Sequence, residues 1–503
     1  MEMRSGRRQF LQVASSLGLG AGWASLGNIT PANAADMVVT PEAVRFRPEI
    51  EPVVRWIEET PRDRIFEVAI QKLESGLSYR DLMAGLFLAG IREIKPRPVG
   101  FKFHAVMVIN SAHLLGQVAG DRDRLLPMIW ALDNFKNSQA QDVKEGDWTL
   151  ARVDEARVPS PTQAKKSFGE AMEAWDAEKA DAAVAGLCRS AGAAEVMEPL
   201  WRFAIRDHRN IGHKAIFAMQ CWRTLQAIGW QHGEPVLRSL SFGLLDLQGD
   251  KTAAPVGPYD VNLVNAAKVR AGWQKGRADV GATRAMLEAL RQASAEEACA
   301  KATAMLNDGI APETLWDAVV LASGDLMMRN PGIQALHAVT STNALHYIFG
   351  ASGEDTNRKL ALLQAVGWVP LFRERVKPPE GTTIERLTPL DPDSKGIEAV
   401  AEIFSELDRD RMKASRKVLG YLARGGSAED VYAVGRSMVL RKGRDSHDYK
   451  YGAAAWEEHV LVGEPSWRPA LLVSSLTNFP GAAKEESPLM RRAREVIQDM
   501  GHG

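Results

Sequence analysis

Four histidines stand at matching distances behind four glycine-containing turns of the chain. They are His104, His213, His337 and His447. The first and third lie 28 residues after Gly76 and Gly309, and the second and fourth lie 21 residues after Gly192 and Gly426. Neutral imidazole is the commonest metal ligand in proteins, and four imidazoles suit iron, copper or zinc. The spacing therefore predicts a shared transition-metal site, with haem held by two of the four as an alternative.

Each of these histidines follows a glycine that favours a helix start. The glycines are Gly100, Gly212, Gly332 and Gly443, and proline comes shortly before the first and third. The positive end of a helix dipole disfavours the imidazolium form, so a histidine near a helix N-terminus tends to stay neutral. Neutral imidazole is the form that binds a metal ion. The competing interpretation is that duplication copied four structural histidines.

Other histidines and two asparagines accompany the first pair. Asn110 and Asn343 follow His104 and His337 by six residues, and we expect them to orient a histidine or a substrate, or else to bond the backbone. His113 and His346 follow by nine residues, which is half a helical turn out of phase, so they should face away from the shared site. Four histidines without counterparts are predicted to lie on the surface or in loops: His208, His232, His459 and His502.

The elements that would position these residues are helices. Apolar residues recur at helical spacing, and glycine and proline interrupt them. The pattern predicts an all-α fold of four helical repeats of about 117 residues, arranged as a duplicated pair with halves at 35–270 and 271–503. In each repeat a glycine (Gly76, Gly192, Gly309 and Gly426) is expected to end a helix in the left-handed conformation.

The first 34 residues read as an export signal. Arg7-Arg8 is followed by Phe10-Leu11, an uncharged stretch and the small-residue site Ala32-Asn33-Ala34. This pattern predicts a Tat signal peptide at 1–34, recognition by the Tat translocase and a periplasmic or secreted location. A Sec signal or a membrane anchor is the alternative. Because the Tat route carries folded cargo, export also favours a cofactor loaded before transport.

Composition and motifs exclude several other classes. The formal net charge of -1 gives no reason to expect a nucleic-acid partner. The three cysteines, Cys188, Cys221 and Cys299, form no CxxC pair that would indicate a thiolate zinc site. No apolar run after the signal approaches the ~20 residues of a membrane span. The chain also has no GxSxG, HExxH or P-loop motif.

Several segments resemble the questin oxidase-like family in their order along the chain. They are Phe103–Val106, His213–Ile216, Leu336–Thr340 and Ser446–Lys450 with Ala455-Trp456-Glu457. The resemblance implies an all-helical, oxygenase-like protein, and its named fungal members cleave aromatic polyketide rings by a Baeyer–Villiger-type oxidation with NADPH. It also implies a catalytic role for Lys450. The chain departs from the family at Lys214, where the family has glycine, and an exported enzyme would not meet cytosolic NADPH.

Three functional hypotheses follow. The first is an exported oxidoreductase that acts on a small organic substrate, with aromatic compounds as a candidate class, at a four-histidine metal site. Its catalytic candidates are Lys450, Asn110 and Asn343. The second is a metal-free oxygenase whose histidines act as acids and bases. The third is a non-catalytic helical-repeat protein that binds a ligand or a partner protein.

Overall fold

The computed structural model describes residues 43–121 and 123–499, and within them the chain is all-helical. In this part of the chain there are 23 α-helices and no β-strand beyond two isolated bridges, Ala43 with Ala151 and Arg277 with Ile310. The predicted fold class is therefore confirmed. The predicted Tat signal at 1–34 lies outside the described residues.

The helices are α1 (Glu51–Glu59), α2 (Ile65–Glu74), α3 (Tyr79–Glu93), α4 (His104–Met107), α5 (Ile109–Gln117), α6 (Leu126–Lys144), α7 (Pro161–Glu173), α8 (Ala177–Ser190), α9 (Ala193–Ile205), α10 (His213–Ile228), α11 (Gly233–Leu244), α12 (Tyr259–Lys268), α13 (Val280–Gln292), α14 (Ala295–Asn307), α15 (Pro312–Arg329), α16 (Ile333–Ala351), α17 (Asp355–Val376), α18 (Gly396–Glu406), α19 (Arg411–Ala423), α20 (Ala428–Lys442), α21 (Ser446–Leu461), α22 (Arg468–Leu476) and α23 (Pro488–Asp499).

Four helices, α5, α10, α16 and α21, form a bundle at the centre of the fold. Each packs against two of the others, in the closed order α5, α10, α16, α21 and back to α5. Ridges of small and apolar side chains let such helices approach closely. The short helix α4 leads directly into α5, with only Val108 between them. The remaining helices surround this bundle, and one hydrophobic core extends from Val44 to Ala493.

The sequence places two of the bundle helices in each predicted half of the chain, α5 and α10 in 35–270 and α16 and α21 in 271–503. Because the core is continuous, apolar side chains from both halves pack together in it. The duplication and the boundary between the halves remain predictions from the sequence.

The four repeat glycines do not share one conformation. Gly76 and Gly309 have the expected positive φ, at 99° and 77°. In the fourth turn the positive φ belongs to Gly425, one residue earlier than predicted. The prediction for Gly192 is wrong, because this residue has φ -73° and caps the N-terminus of α9 instead of ending α8. A glycine can serve either helix end, so its position alone does not decide between them.

None of the helices in the described part of the chain combines the length and the apolar character that a membrane crossing requires.

Candidate metal centre

The four histidines that lie at matching distances behind the repeat glycines meet at one end of the central bundle. One ligand atom from each of His104, His213, His337 and His447 can be chosen so that all four atoms lie within 4.8 Å of one another. The Nε2 atom of His213 is 2.9 Å from Nε2 of His104 and 2.9 Å from Nε2 of His337. The arrangement is a group that can hold one metal ion, as the spacing of these residues predicts.

Each of the four imidazole rings is positioned by the N-terminal part of a helix. His104 and His213 are the first residues of α4 and α10, and His447 is the second residue of α21. His337 lies one turn inside α16. Since all four helices begin near the centre, their positive dipole ends converge there.

The second nitrogen of each ring is held by a neighbouring acceptor. In His104, His213 and His337 the Nδ1 atom donates to a backbone carbonyl three or four residues earlier, at 2.7, 2.5 and 2.7 Å. The Nδ1 atom of His447 lies 3.1 Å from a carboxylate oxygen of Asp445. Such outer partners fix the ring orientation and the tautomer of metal-binding histidines.

These hydrogen bonds determine what the Nε2 atoms can do. A carbonyl oxygen only accepts, so a neutral ring that bonds it carries its proton on Nδ1 and has a lone pair on Nε2. Two such lone pairs 2.9 Å apart, in His213 and His337, repel each other unless a cation lies between them. The buried Nε2 atom of His447 has no hydrogen-bond partner, which leaves it free for the same cation.

Burial keeps the rings neutral. The pKa values of His104, His213 and His337 are lowered well below the ordinary value, first because the rings are buried and further because the positive charge of Lys450 is close. Neutral imidazole binds a metal ion without first losing a proton. The electrostatics of the cluster therefore suit a ligand set rather than a set of charged acids.

The rings lie close together around the centre. Four pairs of ring centroids are 4.4 to 5.1 Å apart, and the centroids of His104 and His337 are 6.4 Å apart. At metal–nitrogen bonds of ~2.0–2.1 Å, neighbouring ligand atoms are about 2.9 to 3.3 Å apart. The two 2.9 Å distances between Nε2 atoms at His213 agree with this spacing.

Four imidazole ligands would suit copper, iron or zinc. Haem would need two axial histidines on opposite faces of a flat macrocycle. In the described residues the four rings surround one point, and neighbouring Nε2 atoms are too close to admit a porphyrin between them. A single ion fits the four side chains better than haem does.

Strained backbone supports the His213 side of the centre. Asn210 and Ile211 have positive φ values of 60° and 51°, which non-glycine residues rarely adopt. Asn210 is held there because its side chain donates to Asp246, at 2.7 Å, and its carbonyl accepts from His213. Gly100 also has a positive φ, 115°, and a Cβ atom on it would lie 3.2 Å from the His213 ring.

The residue after His213 is Lys214, which forms a buried ion pair. Its ammonium group is fully buried and donates to Asp207 at 2.6 Å and to the carbonyl of Asp246 at 2.6 Å. Lys214 thus points away from the metal centre and ties α10 to the loop that holds Asn210.

A small chamber lies inside the bundle beyond the histidine layer. It is lined by Ser111, Ile216, Met219, Gln220, Arg223, Thr340, Asn343, Lys450, Ala453 and Ala454. Ile216, Thr340 and Lys450 each follow one of the four histidines by three residues, so the chamber begins about one helical turn, ~4.5 Å, below the metal centre. Its volume is about 10 Å³ for the centre of a water-sized molecule. One small ligand fits there.

The chamber contains two of the three predicted catalytic residues. Lys450 is 2% exposed, burial lowers its pKa to about 7, and its Nζ atom has no hydrogen-bond partner. Asn343 donates to Glu457 at 2.9 Å and to Glu458 at 2.8 Å, so it bonds side chains and not the backbone. Asn110 is buried with an unpaired Nδ2 atom but does not line the chamber.

The outer histidines behave in two ways. His113 and His346 face away from the centre as predicted, toward Tyr79 and Glu458 respectively. The surface-or-loop prediction is wrong for His459, which is buried within α21. His208 lies in the loop that follows α9, and His232 ends a short 3-10 turn, but both side chains are buried instead of exposed. The predicted surface position of His502 lies outside the described residues. His208 lies between the rings of Trp368 and Phe372, and burial lowers its pKa to about 3. Apolar packing can enclose a neutral imidazole, which a lone histidine in a sequence does not reveal.

Sequence reasoning missed the ion pair at the far end of the chamber. Arg223 donates to Glu457, and the two side chains are 11% and 7% exposed, respectively. They follow Trp222 and Trp456 and are 234 residues apart, which is the repeat period. Opposite charges at equivalent positions of two predicted repeats are a signal that could have identified this pair.

Comparisons with family models, curated proteins and solved structures found no match. The functional interpretation therefore depends on the site itself.

Proposed function

We propose that the protein is a metal-dependent oxidoreductase whose four histidines bind one redox-active transition ion, copper or iron. The observation that carries this proposal is the meeting of four imidazoles, three of which are fixed through Nδ1 to backbone carbonyls. Copper and iron change oxidation state, and both accept imidazole ligands.

The substrate proposed is a small organic molecule, with aromatic compounds as the leading class. The family resemblance supports the aromatic class. A second support is that Phe101 and Ile333, whose carbonyls hold His104 and His337, expose 66% and 49% of their apolar side chains. Exposed apolar groups next to a polar centre are typical of sites that bind apolar ligands. In this proposal the substrate approaches the histidine cluster from the side of Phe101 and Ile333.

Export through the Tat pathway is part of the same proposal. A folded protein can carry its ion across the membrane, so the centre would be loaded before transport. The paired arginines of the leader support this route. The test is cell fractionation of the full chain beside an Arg7→Lys, Arg8→Lys variant. Periplasmic protein with the native leader and retention of the variant are expected, and equal export of both would contradict the Tat assignment.

The redox function is tested on protein purified with its own leader-processed N-terminus and no affinity tag. Reductive titration should change the optical or paramagnetic spectrum by one electron per bound ion. Oxygen uptake with a panel of phenols should depend on the ion and disappear after chelation. A centre that binds only zinc, or turnover that survives complete metal removal, would contradict the proposal.

A further inference from the structure

Two of the four imidazole rings in the histidine cluster reach the protein surface. His213 and His337 are 5% and 1% exposed, whereas His104 and His447 are partly exposed. We infer that the metal ion enters and leaves the cluster past the ring of His447, and that the carboxylate of Asp445 is its first contact with the protein. This inference rests on the proposed function, because it describes how the same site is loaded.

The two exposed rings differ in what holds them. The Nδ1 atom of His104 donates to the backbone carbonyl of Phe101 at 2.7 Å, inside the turn that leads into α4. The Nδ1 atom of His447 instead bonds the carboxylate of Asp445 at 3.1 Å, and its Nε2 atom has no hydrogen-bond partner among the described residues. Side chains turn about their own bonds, so the ring of His447 can move aside while the backbone stays in place. Of the two exposed rings, His447 is therefore the one that can open the cluster.

The charge of Asp445 attracts a cation to the same side. Its side chain is 65% exposed, and within the part of the chain that the structure describes it forms no ion pair with a lysine or an arginine. An exposed, unpaired carboxylate raises the local concentration of cations and their rate of association. Carboxylate oxygens also bind iron(II) and copper(II) directly. The other three rings bond backbone carbonyls, so the side of His447 is the one where a carboxylate meets the cluster.

Asp445 can lose its charge without losing its place in the fold. It is the N-cap of α21, and one carboxylate oxygen accepts from the backbone N–H of His447 at 2.7 Å. Asparagine caps a helix about as well as aspartate does, so Asp445→Asn keeps the helix start and an acceptor for the ring. The matched control is Asp410→Asn. Asp410 is the N-cap of α19, accepts from the backbone N–H of Lys413 at 2.9 Å, and bonds no histidine in the described residues.

The experiment follows copper(II) binding to the folded, metal-free full chain by stopped flow. We expect Asp445→Asn to slow association about 10-fold at low ionic strength and to reach the same final copper content as the unaltered chain. The difference should shrink at about 1 M salt, where the Debye length is about 3 Å. Asp410→Asn should associate at the rate of the unaltered chain. Association of Asp445→Asn at the unaltered rate, or an equal loss in Asp410→Asn, would overturn the inference.

A second measurement needs no variant and tests the ring of His447 itself. Diethyl pyrocarbonate acylates unprotonated imidazoles, and in the metal-free chain it should modify His447 before the other three rings of the cluster. Peptide masses give the order of modification, and bound copper should protect all four rings. Modification of His104 before His447 would contradict the route. A folded chain that takes up no copper would instead contradict the proposed function, and the final copper content reveals that outcome separately from the rate.

Discussion

The Nε2 atoms of His213 and His337 are 2.9 Å apart, and each ring donates its Nδ1 proton to a backbone carbonyl in its own chain segment. Both inner nitrogens therefore carry lone pairs that point at each other. Residues from the two predicted halves of the chain make this contact, so the centre forms only when α10 and α16 pack together. Four individually ordinary helix starts thus create one site with a strong requirement for a cation.

Removing the imidazole of His337 tests whether this side chain binds the metal ion or only packs within α16. We expect His337→Ala to lower metal affinity at least 100-fold, because the loss of an outer partner alone commonly costs 10- to 100-fold. His346→Ala on α16 is the matched control, since His346 bonds Glu458 and stacks on Trp316 away from the centre. Chelator competition measures both, and equal losses in the two variants would argue against the assigned ligand set.

A methyl group at Gly100 should disturb the centre through His213. At φ 115° an alanine is strained by about 1–2 kcal/mol, and its Cβ would contact the imidazole at 3.2 Å. Gly76→Ala is the control, because Gly76 has φ 99° and open space around it. Thermal unfolding should show similar destabilisation of both variants, whereas metal titration should show a roughly 10-fold loss in Gly100→Ala alone. Unchanged affinity in Gly100→Ala would contradict the proposed role of this turn.

The Lys214–Asp207 pair should stabilise the loop that holds His213. Lys214→Met leaves Asp207 with less compensation in a fully buried position, and we expect a loss of about 3 kcal/mol in the free energy of unfolding. The double variant with Asp207→Asn should lose less than the sum of the single changes, by at least about 1 kcal/mol. Urea unfolding gives both quantities. Strict additivity would show that the pair does not act as a unit.

Lys136 should give the chain a stability that rises in alkaline solution. Burial lowers the pKa of this amine to about 8, although it donates to the carbonyls of Ile57 and Glu58 and to Gln139. Between pH 8 and about 10 the unfolded chain therefore binds more protons at this group, so the free energy of unfolding increases with pH. The increase should be on the order of 1 kcal/mol.

The control for this pH effect is Lys136→Met, which removes the titrating amine. Unfolding by urea at pH 8 and pH 10 should show a smaller rise with pH in the variant than in the unaltered chain. Identical pH dependence of the two proteins would mean that Lys136 titrates in the folded state as it does in the unfolded chain.

The sequence predicted the meeting of the four histidines and the helical fold because both leave periodic signals. His104, His213, His337 and His447 keep a fixed distance from a turn, and a half-turn phase argument separates His113 and His346 from them. The chamber left a weaker signal, because Ile216, Thr340 and Lys450 follow their histidines by three residues, but this spacing does not show that they line a cavity. Its lining depends on which helices become neighbours, and Ser111, Gln220 and Thr340 come together only through tertiary packing.

The surroundings of single polar residues were also not predictable from the sequence. The burial of His208 and the pairing of Lys214 depend on residues far away in the sequence, Trp368 in the first case and Asp246 in the second. Gly192 shows the same limit for local structure, since a glycine between two helices can belong to either one. Periodicity in the sequence indicates on which face of its helix a residue lies. It does not indicate which side chains pack against that face.

The central claim is that the four histidines hold one ion per chain, and native mass spectrometry of untagged protein tests it most directly. The account predicts a mass increase that corresponds to one copper or iron ion in the folded chain. It also predicts the absence of that ion in a folded His213→Ala variant. Folded chains that carry no ion when purified from metal-replete cells, or a His213→Ala variant with the same ion content, would contradict the account.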